Sequence, residues 1–201
     1  MKKGIISAGT WLVDCVKFIT KYPVSGNLTI IQKEEIGLGG CAHNVLVDIA
    51  KMRAGIPLYA GGCIGTDVNG DYILSEIHKH GIDDSYIYRI EDTDSSYTYV
   101  MASVDDNSRT FFHYKGTNSL FEPKHIEAID IPAKIFHLGY LLLLDELEKP
   151  DAEYGIAAAR VLHHLREKGY KTSVDVVSEE SERFRNIMLP CLPYIDYLII
   201  N

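Results

Sequence analysis

The 201 residues are 46% hydrophobic, enough for one sizeable core, and this excludes disorder as the main state. Asp plus Glu number 28 against 20 for Lys plus Arg, a net charge of −8. With no long basic run to track phosphates, the composition argues against nucleic acid and anionic membrane as partners. No apolar run reaches the ~18 residues of a membrane span.

Gly4 to Gly9 is a short, nearly uncharged run, as expected of a strand covered on both faces, and it leads into Thr10 to Asp14. Lys2-Lys3 before this run resembles the start of a secretion signal, but Asp14 beside Cys15 and the lack of a small-residue cleavage pattern favour a buried first strand. Asn27 to Ile36 carries β-formers running into Lys33-Glu34-Glu35, which suits a partly solvated strand outside the core. Ala42 to Ala54 reads as a helix with Val45, Ile49 and Met52 on its apolar face, stopped by Gly55. Pro57 to Ile64 is the next strand. Thr66-Asp67 then caps a helix through Ile73, Leu74 and Ile77 that ends at Gly81.

Three strand-like pieces lie between Ile87 and Lys115. Tyr97 to Val104 and Thr110 to Lys115 are joined by Asp105-Asp106-Asn107-Ser108, the composition of a hairpin turn. The alternation then resumes: strand Lys134 to Leu138, helix Asp151 to Lys168 (about 27 Å long), strand Lys171 to Val176, helix Glu180 to Met188, strand Ile195 to Ile200. Strands alternating with helices imply crossover connections and a mainly parallel sheet. Because Tyr197 to Ile200 has the character of a mid-sheet strand, the sequence is expected to stop where the functional crevice of such a sheet begins.

The four cysteines, Cys15, Cys41, Cys63 and Cys191, form no C-x-x-C pair and no short Cys/His spacing of a zinc site. They read as reduced thiols in a cytoplasmic protein, and no metal ligands are assigned. His78/His80 and His163/His164 fall on helices without acids at ligand spacing and read as solvated. His137, at a strand end, reads as a hydrogen-bonded core histidine, with a pocket-facing position as the alternative. The aromatic-rich hairpin (Tyr97, Tyr99, Phe111, Phe112, Tyr114) reads as the core of its own small unit or a dimer contact rather than a stacking platform for a ligand.

Gly37-Leu38-Gly39-Gly40-Cys41-Ala42-His43-Asn44 opens the first core helix. Glycines there let a ligand approach the backbone, and a helix N-terminus offers unpaired N–H groups. As G-x-G-x-x-A, Gly37, Gly39 and Ala42 approach a dinucleotide fingerprint, the mark of an NAD-binding dehydrogenase domain. The preceding strand is charged, however, and the following one supplies no acid for a ribose before Asp67. Asp14 follows the first buried strand, at the end where ligand sites form, and a carboxylate there can accept two hydroxyl hydrogen bonds from a polyol.

Asp14, Gly39-Gly40-x-x-x-Asn44, and Cys63-Ile64-Gly65-Thr66-Asp67-x-x-Gly70, with Gly116-Thr117-Asn118 and Asp175 further on, form an ordered set. That set resembles the ribokinase-like (PfkB-type) carbohydrate kinases. The resemblance implies ATP-dependent phosphorylation, with Mg²⁺, of a sugar or sugar-like alcohol. It also implies a Rossmann-like, mainly parallel α/β sheet flanked by helices with a small β-sheet lid. Residues 1–201 would form one incomplete domain of that fold, its C-terminal part missing, with lid segments at about 15–37 and 89–116. Asp14, Gly39, Gly40, Asn44 and Asn118 would bind the acceptor, and Asn201 would begin an N-x-x-E element of the nucleotide site. The family's G-A-G-D stretch, with its catalytic Asp, is absent from the sequence. No catalytic residue is therefore assigned, and residues 1–201 alone are expected to be inactive. A nucleoside kinase of the same family and a non-catalytic sugar-binding module are the alternatives, and a homodimer through the lid is expected.

Overall fold

The computed structural model describes residues 2–177 and 182–200. Strands and helices in chain order are β1 (Ile5–Gly9), β2 (Leu12–Ile19), β3 (Ile31–Gly39), α1 (Cys41–Lys51), β4 (Leu58–Gly65), α2 (Val68–Lys79), β5 (Asp83–Ile90), β6 (Tyr97–Ser103), β7 (Ser108–Tyr114), α3 (Pro123–Glu127), β8 (Ile135–Leu141), β9 (Pro150–Asp151), β10 (Gly155–Ile156), α4 (Ala157–Glu167), β11 (Lys171–Val176), α5 (Glu182–Cys191) and β12 (Tyr197–Ile199). Six of the strands form a parallel sheet in the order β12-β11-β8-β1-β4-β5. Four others form a separate sheet, β3-β2-β6-β7, in which only the β2–β6 pair is parallel.

β1 is central, and every residue in it is buried. Period-two alternation sends Ile5 to one face and Ile6 to the other. Ile5 joins Ala42 and Leu46 of α1 and Ile73 and Ile77 of α2. Ile6 joins Phe136 and Leu138 of β8, Val174 of β11, and Val161, Leu162 and Leu165 of α4. Each such fully buried aliphatic side chain stabilises the fold by about 1.5–3 kcal/mol. The α/β architecture with a small additional sheet is as the sequence predicts.

The expected elements are largely present, with four corrections. In α1 the buried residues are Cys41, Ala42, His43, Leu46 and Val47, and Met52 is 75% exposed. The expected stripe of Val45, Ile49 and Met52 was therefore rotated off the true face. Helix α4 has 11 residues, about 17 Å rather than 27 Å. Asp151 Oδ1 accepts the N–H groups of Glu153 and Tyr154 (both 3.0 Å), Gly155 adopts φ +83°, and the chain turns into the β9–β10 hairpin before α4 begins. The first of the three pieces between Ile87 and Lys115 is the end of β5, an edge strand of the main sheet. Finally, the small-sheet strands start at Leu12 and Tyr97 and end at Gly39 and Tyr114, which shifts the expected lid boundaries.

Asp67 caps α2 as expected, its Oδ1 accepting the Gly70 N–H at 3.0 Å. The same carboxylate accepts the N–H and hydroxyl of Ser95 (3.1 and 2.6 Å), anchoring the approach to β6. Among the described residues no helix is long and apolar enough to cross a membrane. All four cysteines are free thiols.

Candidate acceptor cleft between the two sheets

A cleft of about 810 Å³ opens at the carboxyl ends of β8, β11 and β12 beneath the small sheet. This is where open parallel sheets place their ligands. Asp14 reaches it because β2 alternates: Leu12 and Val13 are buried, Val13 in the core beside α1, while the half-buried Asp14 lines the cleft. The sequence reading places Asp14 just beyond the first buried strand and before the lid; the structure puts it inside a strand of the small sheet, opposite Gly37 of β3 and Thr98 of β6.

Gly39 is a glycine because of that carboxylate. A Cβ there would lie 2.2 Å from Asp14 Oδ2 and 2.9 Å from Leu12 Cδ1. Gly40 is the N-cap of α1, with φ +90°, and a Cβ there would lie 2.3 Å from the Thr10 carbonyl oxygen. The first helical N–H, that of Cys41, donates to Thr10 Oγ1 at 3.3 Å. Asn44, exposed on the first turn of α1, completes this wall, its Oδ1 lying 3.0 Å from His43 Nδ1. Asp14, Gly39, Gly40 and Asn44 thus share one cavity.

The other walls are Phe111 and His113 of β7, Tyr140 of β8, Leu143 just after it, and Asp175 of β11. Burial raises the Asp14 carboxyl above the usual carboxylate range, opposed by a hydrogen bond from Thr98. Burial likewise pushes Asp175 up to about 6 and raises the Tyr140 hydroxyl. Two lining residues hold buried polar atoms without a hydrogen-bond partner, His113 Nε2 and Asp175 Oδ1. Buried polar groups are normally hydrogen-bonded, so these two atoms are suited to meet a polar ligand.

A family model for pfkB family carbohydrate kinases matches residues 2–201. The chain belongs to that family. No curated protein matches the sequence. Arabidopsis thaliana ribokinase, solved with ribose and ATP, is similar at TM-score 0.75 and 18% identity, covering 100% of this chain and 61% of its own. A Methanocaldococcus jannaschii nucleoside kinase gives 0.71 and 18% over the same shares. Xylella fastidiosa fructokinase gives 0.70 and 20%, covering 98% of this chain and 59% of its own. The chain therefore spans about three fifths of these relatives.

On this PfkB-family scaffold the other predicted residues fall elsewhere. Asn118 is fully buried in the 3-10 turn Gly116–Leu120 and does not line the cleft; its Oδ1 accepts the Trp11 N–H at 3.1 Å. It fixes the link between β1 and β2, which positions Asp14 indirectly. Asn201 lies outside the described residues. The dinucleotide alternative loses its context, because Gly37-Leu38-Gly39 ends a strand of the small sheet rather than the first strand of the main one. His137 is buried and bonded, as its core reading expects, with Nδ1 3.0 Å from Ser173 Oγ. The paired surface histidines do have acidic neighbours, Asp84 at 2.8 Å from His78, Glu76 at 3.8 Å from His80 and Glu167 at 3.8 Å from His163. Sequence reasoning missed Thr98, His113 and Tyr140. Thr98 and His113 face each other across β6 and β7, Oγ1 to Nδ1 3.0 Å. Two polar residues at paired positions in an aromatic hairpin were the available signal.

Proposed function

We propose that this chain supplies the acceptor-binding part of an ATP-dependent kinase that phosphorylates a hydroxyl of a sugar or sugar-like molecule. The observation that carries the proposal is the convergence of the Asp14 carboxylate, the Gly39-Gly40 backbone and Asn44 in one cleft under the small sheet. Ionised Asp14 accepts two acceptor hydroxyls, and charge-assisted bonds of this kind are the stronger sort. The missing Cβ atoms at Gly39 and Gly40 let the carbon skeleton lie against backbone. The small sheet acts as a lid that keeps water from competing for the phosphoryl group.

Transfer itself needs groups that this sequence does not carry, since it contains no G-A-G-D stretch. Magnesium takes oxygen ligands. Among the described residues, the one cluster of three metal-ligating groups that reaches the cleft, through Asp175 alone, offers a sulfur, a nitrogen and a carboxylate. That donor set does not fit Mg²⁺. The A. thaliana ribokinase complex with ATP supports the choice of phosphoryl donor.

A nucleoside acceptor is the second reading. The apolar wall of Leu12, Leu38, Phe111, Val177 and Ile199 is more extensive than a polyol needs and suits a base, and one similar structure is a nucleoside kinase. The exposed aromatic face of the small sheet is the proposed contact of a homodimer. The test is ATP consumption by the full-length protein across sugars and nucleosides. One acceptor class should respond, and Asp14→Ala should lower its kcat/KM about 10³-fold, roughly 4 kcal/mol, while residues 1–201 alone show no turnover. Unaltered kinetics in Asp14→Ala would remove Asp14 from the pocket. Acceptor binding without ATP consumption would make the protein a binding module.

A further inference from the structure

Three residues from distant parts of the chain meet in the buried layer next to the cleft, which only Asp175 of the three lines. Cys41 is the first residue of α1, His137 lies in β8, and Asp175 lies in the neighbouring β11. Cys41 Sγ is 3.1 Å from His137 Nε2, and Asp175 Oδ1 is 3.6 Å from the same nitrogen. All three ligand atoms lie within 4.8 Å of one another. The arrangement is not a nucleophile relay, because thiol and carboxylate approach one ring nitrogen instead of opposite ends of the ring. Groups that converge on a common point form a ligand set.

We infer that Cys41, His137 and Asp175 bind one zinc-class divalent cation, Asp175 being the ligand that also lines the cleft. Zinc bonds of about 2.3 Å to sulfur and about 2.0–2.2 Å to nitrogen and oxygen, tetrahedrally arranged, put adjacent S···N and N···O pairs about 3.5 and 3.3 Å apart. The observed separations differ from these by a few tenths of an ångström. The outer shell is in place: donation of Nδ1–H to Ser173 Oγ, 3.0 Å away, leaves the Nε2 lone pair facing the site. Asp175 Oδ1 is buried without a hydrogen-bond partner. The room between the ligands exists because residue 139 is glycine. A Cβ there would lie 2.5 Å from Asp175 Oδ1 and 2.9 Å from Cys41 Sγ. A thiol and an imidazole select zinc or cobalt over magnesium or calcium. On binding, the Cys41 thiol proton passes to solvent and the sulfur bonds the metal, with no change of oxidation state. Asp175 lines the same cleft as Asp14, so a bound cation would occupy part of the space proposed for the acceptor. The metal site itself does not depend on that reading.

The test uses the metal-free protein, titrated with Zn²⁺ against a chromophoric chelator and separately with Co²⁺ in the spectrophotometer. One tight equivalent of zinc is expected, together with tetrahedral cobalt bands and a thiolate-to-cobalt charge-transfer band. Cys41→Ser should abolish that band and weaken zinc at least ~100-fold. The isosteric Asp175→Asn should weaken zinc about tenfold and keep the band. Cys63→Ser should leave both unchanged. The His163-His164-Glu167 group, of which only Glu167 is exposed, has no sulfur and gives no such band. Absence of the band in the wild-type protein, or its persistence in Cys41→Ser, would overturn the inference. If Cys41→Ser does not fold, wild-type affinity in Asp175→Asn would overturn it equally.

Discussion

The two sheets are built on opposite terms. In the six-stranded sheet Ile6, Ala8, Phe136, Leu138 and Val174 are fully buried, with helices over both faces. In the four-stranded sheet the first six residues of β3 are exposed, as are Phe111 (63%) and Phe112 (56%). Only its base meets the helices, where Val13 packs in the α1–α2 core with Tyr97 against it. It is held to the platform by a few anchors: Trp11 Nε1 on the Gly61 carbonyl at 2.8 Å, Trp11 N on Asn118, and Ser95 on Asp67. One sheet supplies stability, and the other supplies a face to the cleft. Mutations in the two should therefore separate folding from binding.

The largest effect on folding belongs to the platform. Phe136→Ala empties a fully buried site between β1 and β11 and should cost about 3–5 kcal/mol in denaturant titration. A loss below about 1 kcal/mol would show that the stability does not reside in this sheet. Gly39→Ala tests the boundary between the two regions. Its Cβ, 2.2 Å from Asp14 Oδ2, must push the carboxylate away. Acceptor affinity in the full-length protein should fall about 30–100-fold, roughly 2–3 kcal/mol, against a folding cost of about 1–2 kcal/mol. Unchanged acceptor affinity would mean that the carboxylate's place over Gly39 is irrelevant to binding.

A smaller effect follows from the Asp14 titration, and its sign differs for the two properties. Burial raises the carboxyl in the folded protein, so the folded state holds this proton more tightly than the unfolded chain does. The group's contribution to stability therefore declines as pH rises from the ordinary Asp range through the raised value. Acceptor binding needs the ionised form and moves the other way: KM should begin to rise, as pH falls, at a higher pH than an ordinary Asp would give. Asp14→Asn should flatten that limb of the KM profile. An acidic limb that persists in Asp14→Asn would assign the titration to another group.

The platform was legible in the sequence because its strands and helices carry local signals. Ile5-Ile6, the Asp67 cap and Gly81 each act within a few residues of themselves. The Asp14 and Gly39-Gly40 pairing was legible only as an ordered set of residues, since the strand geometry that joins them depends on β2–β3 register. α4 was overextended because Asp151 and Gly155, a turn pair, were read through as helix. Cys41 and His137 are 96 residues apart, and no spacing rule for short metal motifs reaches that far. Their meeting with Asp175 is a product of the parallel strand order.

The smallest expected effect lies on the outer part of the small sheet. Phe112 sits in β7 opposite Tyr99, which is 42% exposed, and neither ring is enclosed. Phe112→Ser removes one cross-strand pair, worth about 0.2–1 kcal/mol, and little apolar burial. In an isolated chain the denaturation midpoint should hardly move, and it should not depend on protein concentration. If this face packs against a second copy of the chain, the same substitution removes buried interface area. The wild-type midpoint would then rise with concentration, and that rise would vanish in Phe112→Ser. Denaturation at two concentrations, paired with sedimentation of both proteins, distinguishes a free cover from a dimer contact. A concentration-independent midpoint with monomeric sedimentation would remove the proposed homodimer while leaving the cleft and its Asp14 wall untouched.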